Sequence, residues 1–405
     1  MASHSVVCWD CGSAVEDPHL SVCPRCKGLL TIRMDLEPVK EMRPEDLRGE
    51  RMGVWRYAPF MPADPANKVS IQEGGTPLYR ASSLGEAIGV PGTHVKFEGL
   101  NPTGSFKDRG MTIGVTHARE IGAKVVGCAS TGNTSASLAA YAAKAGMDCA
   151  VFLPAGKVAA GKLAQALFFG AKVLSVDGSF DDALDLARRM ADERMIYLLN
   201  SINPYRPEGQ KSVLFEIMDQ LSYEVPDRIV LPVGNAANIW AVYKAIKELE
   251  EVGWIDRAPM LTGIQAEGSA PVARAFASGS ADFVPEEHPE TVATAIRIGN
   301  PVSGRKALRA IYDTGGFSAT VSDDEILAAQ RLLGRTEGVC VEPASAASVA
   351  GLAKLRREGV VDRGERVVCI CTGNGLKDPD SMTLGARAPM RCGSSVEEAA
   401  RILSG

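Results

Sequence analysis

Residues 101–110 read NPTGSFKDRG and place Lys107 behind a Pro-Thr-Gly-Ser turn, directly ahead of Asp108 and Arg109. A solvated lysine is a protonated cation and a poor nucleophile. A lysine partly shut away from water at the entry to a helix gives up its proton more readily and becomes an amine able to attack a carbonyl. Taken alone, Lys107 reads better as an ordinary surface lysine beside an aspartate. Its chemistry depends on what other loops bring to it.

Three loops of one type are available. STGNTS (130–135), PVGNAAN (232–238) and CTGNG (371–375) each follow a short apolar run that reads as a strand. In open α/β sheets ligands bind beyond the carboxyl ends of the strands, so three Gly-Asn loops there predict one shared site. In GNAAN, between a strand and a helix, successive backbone N–H groups can converge on an anion at the helix N-terminus. Asn133 can offer an amide to a ring oxygen, and Thr372 a hydroxyl to a ring nitrogen. With an amine nucleophile these are the parts that hold pyridoxal phosphate as a Schiff base. Beside these loops the surface reading of Lys107 loses.

A second cluster lies at the start. CWDCG (8–12) and CPRCKG (23–28) are two CxxC pairs separated by 11 residues. That spacing matches a zinc ribbon, with Cys8, Cys11, Cys23 and Cys26 as ligands. Metal-free thiols and a rubredoxin-like iron site are the alternatives. Four thiolates leave no open coordination position, so the metal would be structural rather than catalytic. Arg25, Lys27 and Arg33 are offset by Asp10, Glu16, Asp17 and Asp35, which is not a phosphate-binding patch. The module reads as a small packing unit.

The elements that must position these residues follow from the pattern. Residues 36 to about 70, rich in Pro, Arg and Glu, are expected to wrap a surface or link the ribbon to the body. After QEGGTPL, β-rich runs alternate with Ala-rich helical ones: KVVGCAS then TSASLAAYAAKAG, DCAVFLP then KLAQALFFG, RIVLPVG then NIWAVYKAIKELEE. Such alternation predicts parallel sheets covered on both faces. Asp108 and Arg109 are expected to form an ion pair at a helix start. Cys128, Cys149, Cys340, Cys369 and Cys371 sit in apolar contexts and are expected in the core.

Other chemistries are excluded. There is no GxGxxG, and in GKVAAGK (156–162) Leu163 stands where a phosphate loop needs Ser or Thr to hold magnesium. Five histidines in no metal or triad pattern give no support to histidine-based hydrolysis. A net charge of −5 and a pI near 5.7 argue against nucleic acid or membrane partners. Ten cysteines without an export signal or a transmembrane run point to a reducing cytoplasm.

From EGGTPL (73–78) to CTGNGLKD (371–378) the chain resembles the threonine synthases, pyridoxal-phosphate enzymes of the tryptophan-synthase β fold (fold type II). NPTGSFKDRG resembles their cofactor-lysine motif, STGNTSAS their substrate-carboxylate loop, and SINPYRPEGQKS (201–212) and TVATAIRIGNP (291–301) segments characteristic of the group. The resemblance implies an α/β fold of two doubly wound domains with the four-cysteine module at the N-terminus. It implies a cofactor Schiff base at Lys107, with Asn133 at the ring hydroxyl and Thr372 at the ring nitrogen. Gly234, Asn235, Ala236, Ala237 and Asn238 would cradle the phosphate, although the family loop usually reads GNAGN and Ala237 here replaces the second glycine. Ser130, Thr131, Thr134, Ser201 and Arg206 would bind substrate. Arg206 would face the leaving phosphate, although sequence physics alone would leave it on a surface loop.

The implied reaction is γ-elimination of phosphate from O-phospho-L-homoserine and addition of water at Cβ, giving L-threonine. Cysteate synthase, taking phosphoserine and sulfite, shares these parts, and a serine/threonine dehydratase of the same fold is the next alternative. A zinc-ribbon binding protein with a non-catalytic body is the reading of a different class. The expected organisation is 1–35 as the ribbon, 36–106 with 211–405 as the large cofactor-binding domain, and 107–210 as the small domain. A homodimer is expected.

Overall fold

The computed structural model describes residues 3–156, 160–384 and 389–404; residues 157–159 of GKVAAGK therefore lie outside the described residues. At the N-terminus β1 (His4–Cys8) and β2 (Leu30–Met34) pair antiparallel. Strands β3 (Leu78–Arg80) and β4 (Gly92–Phe97) precede four strands of a second sheet: β5 (Val125–Ala129), β6 (Asp148–Pro154), β7 (Lys172–Val176) and β8 (Tyr197–Leu198). Then come β9 (Arg228–Pro232), β10 (Met260–Ala266), β11 (Phe317–Val321) and β12 (Arg366–Cys371). The six-stranded sheet has the order β11-β10-β9-β12-β4-β3, with only β3 antiparallel, and the four-stranded sheet β7-β6-β5-β8 is wholly parallel.

Burial explains the sequence of these strands. RIVLP of β9 is buried at every position, as a central parallel strand covered by helices on both faces must be. KVLSV of β7 is half exposed because it forms the sheet edge. Strands β4, β10 and β11 escape a reading of alternation because polar residues interrupt them; their partners in the sheet, not their own pattern, make them strands.

Three expectations need correction. Within the 36–70 segment, mostly exposed at either end, residues 54–63 enter the core: Tyr57, Phe60 and Met61 are fully buried, and Phe60 packs on Phe215 at 4.7 Å between ring centroids. Asp108 and Arg109 do not pair. Asp108 accepts from Thr103 N (2.7 Å), Thr103 Oγ1 (2.6 Å) and Ser137 Oγ (2.5 Å). Arg109 is fully buried and pairs with Glu98 (2.5 Å) and Glu216 (2.7 Å), while Lys96 pairs with Glu216 at 2.7 Å. Successive helical residues diverge by about 100°, so neighbours point to different partners. Among the cysteines, Cys340 is exposed beside Met382, whereas Cys128, Cys149, Cys369 and Cys371 are buried.

This charge cluster ties the lysine-bearing helix to the large sheet. Burial alone would raise the Glu216 carboxyl, but Arg109 and Lys96 outweigh that and hold it below its usual range. Its contribution is therefore present above the unfolded carboxylate pKa and is lost as pH falls below it. Glu216→Ala leaves two buried cations facing one carboxylate and is expected to cost about 3–5 kcal/mol. Urea unfolding of the variant measures this; a loss below about 1 kcal/mol, the scale of an exposed pair, would show that water reaches the cluster.

Candidate active site

Lys107 is the first residue of the helix Lys107–Glu120, and its turn is stitched to the end of β12. Phe106 N donates to Thr372 O at 3.0 Å and Asn374 N to Gly104 O at 2.9 Å, so NPTGSF and CTGNG form one wall. The Lys107 amine stands 4.0 Å from the Phe106 ring centroid and is only half-buried by surface, yet it is enclosed by protein. Desolvation, helped by the positive charge of Arg206 and opposed by Glu342, pulls its pKa down to about 7. Near neutral pH a large share of this lysine is therefore the free amine that carbonyl attack requires.

The three loops do converge. Thr372 is buried, its hydroxyl 3.1 Å from that of Ser345, which also accepts from Gly373 N at 2.7 Å. Ser345 thus orients Thr372; nothing in the sequence marks it. Asn133 opens the helix Asn133–Ala145 and donates to Glu342 at 3.1 Å and 3.3 Å. Glu342 is buried, and burial pushes its carboxyl above the ordinary range. A Cβ at Gly373 would lie 2.5 Å from Glu342 Oε1, so only glycine lets the two loops touch. Ser130, Thr131 and Thr134 are half-buried on the Asn133 loop, and Ser130 Oγ accepts from Gly132 N at 3.3 Å.

The GNAAN loop runs from β9 into the helix Ala237–Glu251. Among the described residues, the backbone N–H groups of Gly234, Asn235, Ala236, Ala237 and Asn238 have no hydrogen-bond partner. Both side-chain amide atoms of buried Asn238 are also unpartnered. Orphan donors at a helix N-terminus are an anion site, so the residues present fit the cofactor's phosphate. The left-handed position in the loop is Ala236 (φ 67°) rather than Ala237, which is already helical. The methyl of Ala237 therefore carries no backbone strain. The TVATAIRIGNP segment covers the loop, since a Cβ at Gly234 would meet Ile296 Cα at 3.1 Å; just beyond that segment, Ser303 N donates to Asn235 O at 3.0 Å.

Arg206 is the largest departure from what sequence physics alone suggests. It is 3 % exposed, and among the described residues its guanidinium has no acidic partner, with Nε lacking any hydrogen bond. Desolvation lowers its pKa to about 10. It sits on the helix Tyr205–Gln210, which crosses Lys107–Glu120 backbone to backbone. A Cβ at Gly209 would fall 1.8 Å from Arg109 O, and one at Gly110 2.9 Å from Arg206 O. These two glycines are what let the two helix backbones approach this closely. Ser201 lines a crevice with Leu30, Asn203 and Lys306 on the side of this segment facing the ribbon.

In the ribbon the Sγ atoms of Cys8, Cys11, Cys23 and Cys26 lie within 4.8 Å of one another. The separations include 3.4 Å, 3.5 Å and 3.8 Å. Four sulfurs at about 2.3 Å from one zinc ion stand about 3.8 Å apart, so this donor set fits a tetrahedral ion.

Comparison with known proteins agrees with the geometry. Residues 69–373 match a family model described as pyridoxal-phosphate dependent enzyme. A threonine synthase of Methanocaldococcus jannaschii is 55% identical over 398 residues, covering 98% of each chain. One from Methanosarcina acetivorans is 58% identical over 376 residues, 93% of this chain and 92% of that one. Among solved structures, a processed threonine deaminase isoform from Solanum lycopersicum superposes with a TM-score of 0.67 at 21% identity, covering 84% of this chain and 96% of that one. Maize serine racemase gives 0.64 at 22%, covering 74% and 88%. These structural likenesses show the α/β fold alone.

Proposed function

The chain belongs to the threonine synthases among the pyridoxal-phosphate dependent enzymes, and on that premise we propose how its residues divide the conversion of O-phospho-L-homoserine and water into L-threonine and phosphate. The bound cofactor supplies an electron sink for charge developing at the substrate's Cα. The GNAAN amides, residues 234–238, would hold its phosphate, with Asn133 at the ring hydroxyl and Thr372 at the ring nitrogen. Lys107 would be both the covalent attachment point and the base that takes a proton first from Cα and later from Cβ. Ser130 and Thr131 bind the substrate carboxylate. Arg206, with Thr134, Ser201 and Asn235 as hydrogen-bond partners, receives the leaving phosphate.

One observation carries this reading: a buried arginine that has no acidic partner among the described residues and sits on the helix that crosses the Lys107 helix backbone to backbone. A buried guanidinium is costly unless an anion arrives to pair with it. Purified protein given O-phosphohomoserine should release threonine and phosphate in equal amounts. Turnover only with phosphoserine and sulfite would move the assignment to cysteate synthesis. A keto acid and ammonia from unphosphorylated serine or threonine would indicate a dehydratase.

We further read 107–210, carrying the four-stranded sheet, as a small domain that closes on 36–106 with 211–405 to exclude water until the addition step. Identical solution scattering with and without substrate would refute closure. The ribbon, 1–35, is assigned a structural zinc ion at Cys8, Cys11, Cys23 and Cys26. Elemental analysis should find one zinc per chain, and Cys11→Ser should lower that content at unchanged cofactor absorbance; iron or no metal would refute the assignment. Among the described residues no helix is long and apolar enough to cross a membrane. The expected homodimer is tested by light scattering.

A further inference from the structure

The ribbon lies against the substrate-phosphate segment, and it does so on both sides of Arg206. Ahead of it, Tyr205 is stacked on His117 at 3.5 Å, and the edge of His4 from β1 meets the Tyr205 ring at 6.0 Å. Its imidazole Nε2 stands 3.5 Å from the Tyr205 hydroxyl. Beyond it, buried Glu208 pairs with Lys244, whose amine also donates to the Ile32 carbonyl of β2 at 2.8 Å. Lys244 is therefore a bridge from ribbon backbone to the helical turn that carries Arg206. Lys211 completes the charge balance, pairing with Glu208 at 2.7 Å and Glu248 at 2.8 Å.

We propose that the ribbon is a positioning element for the phosphate-binding arginine, acting through Lys244 and Glu208 on one side of Arg206 and His4 and Tyr205 on the other. Arg206 makes no side-chain hydrogen bond through Nε, so its aim is set by the backbone of the turn it sits on. That turn is held from below by the glycine crossing with Lys107–Glu120 and from outside by the ribbon. The inference rests on the role given to Arg206 above. Small displacements of a positioning group are expensive in rate or binding.

The test uses the cofactor-loaded full chain with Lys244→Met, Lys244→Arg, His4→Ala and Arg206→Met. It measures kcat, KM for O-phosphohomoserine, inhibition by inorganic phosphate, and cofactor absorbance. Lys244→Met is expected to raise KM and the phosphate inhibition constant together by roughly tenfold, with kcat and absorbance near wild type. Lys244→Arg should restore most of the loss. His4→Ala, at an exposed position that leaves the core intact, should move the same two constants in the same direction by a smaller factor. Unchanged constants in Lys244→Met and His4→Ala, beside a large change in Arg206→Met, overturn the positioning role alone. Loss of kcat and cofactor together, or no rescue by arginine, makes Lys244 a mere packing residue and overturns it as well. Unchanged constants in Arg206→Met overturn the phosphate role and this inference with it.

Discussion

Alanine at position 107 is expected to leave a folded protein that holds no cofactor covalently and turns over at least about 10³-fold more slowly, the scale of a lost base and nucleophile. The fold should survive because the turn is held by backbone bonds from Phe106 to Thr372 and from Asn374 to Gly104, none of which uses the lysine side chain. Alanine is also a good helix former for the first turn. Borohydride reduction of cofactor-loaded wild type, then peptide mapping, should tag the peptide containing residue 107, and the variant should carry no tag. A tag on another lysine would place the attachment elsewhere. The lowered amine pKa adds a pH signature. Below about 7 the amine is protonated and cannot attack an aldehyde. Recombination of cofactor with stripped protein should therefore quicken as pH rises toward 7 and level off above it. A rate still climbing steeply toward pH 10 would mean that the amine is solvated.

Arg206→Met should produce opposite effects on activity and stability. Losing one partner of a buried charge-assisted contact to phosphate costs about 3 kcal/mol, or roughly 150-fold in kcat/KM. The free protein should nonetheless become more stable, because methionine of similar length removes an unpaired buried cation. In cofactor-loaded protein, where the GNAAN amides are already taken, phosphate should raise the melting temperature of the wild type by binding the native state only, and leave the variant unmoved. Calorimetry with and without phosphate measures both effects. A variant less stable than wild type and still stabilised by phosphate would show that the anion binds elsewhere.

The legible parts of the site are those whose chemistry is local. A Gly-Asn loop at a strand end, a lysine behind a small-residue turn and a CxxC pair each need only a handful of adjacent residues, so Lys107, Asn133, Thr372, GNAAN and the four cysteines could be read directly. The alternation of apolar runs and Ala-rich helices was enough for parallel sheets. What stayed hidden depends on contacts between distant segments. Ser345 gives no signal because its role is a hydrogen bond to residues 27 and 28 positions away. The 36–70 segment looked polar because Pro, Arg and Glu surround one short aromatic run, Trp55 to Phe60, with no sustained period, yet Tyr57 and Phe60 fill core.

By itself, then, the sequence determined the class of fold, the amine, the loops that meet it and the thiol cluster, since each follows from backbone freedom, periodicity or ligand spacing over a few residues. Only the tertiary structure decided that Arg206 is buried with no acid beside it among the described residues, that Arg109 reaches past Asp108 to Glu98 and Glu216, and that Ala236 takes the left-handed turn. It alone set the ribbon against the Arg206 segment. The physical reason is the same in each case. A charged side chain's partner is chosen by which backbones approach closely enough, and here that approach is set by glycines 110 and 209 at a helix crossing that no local pattern encodes.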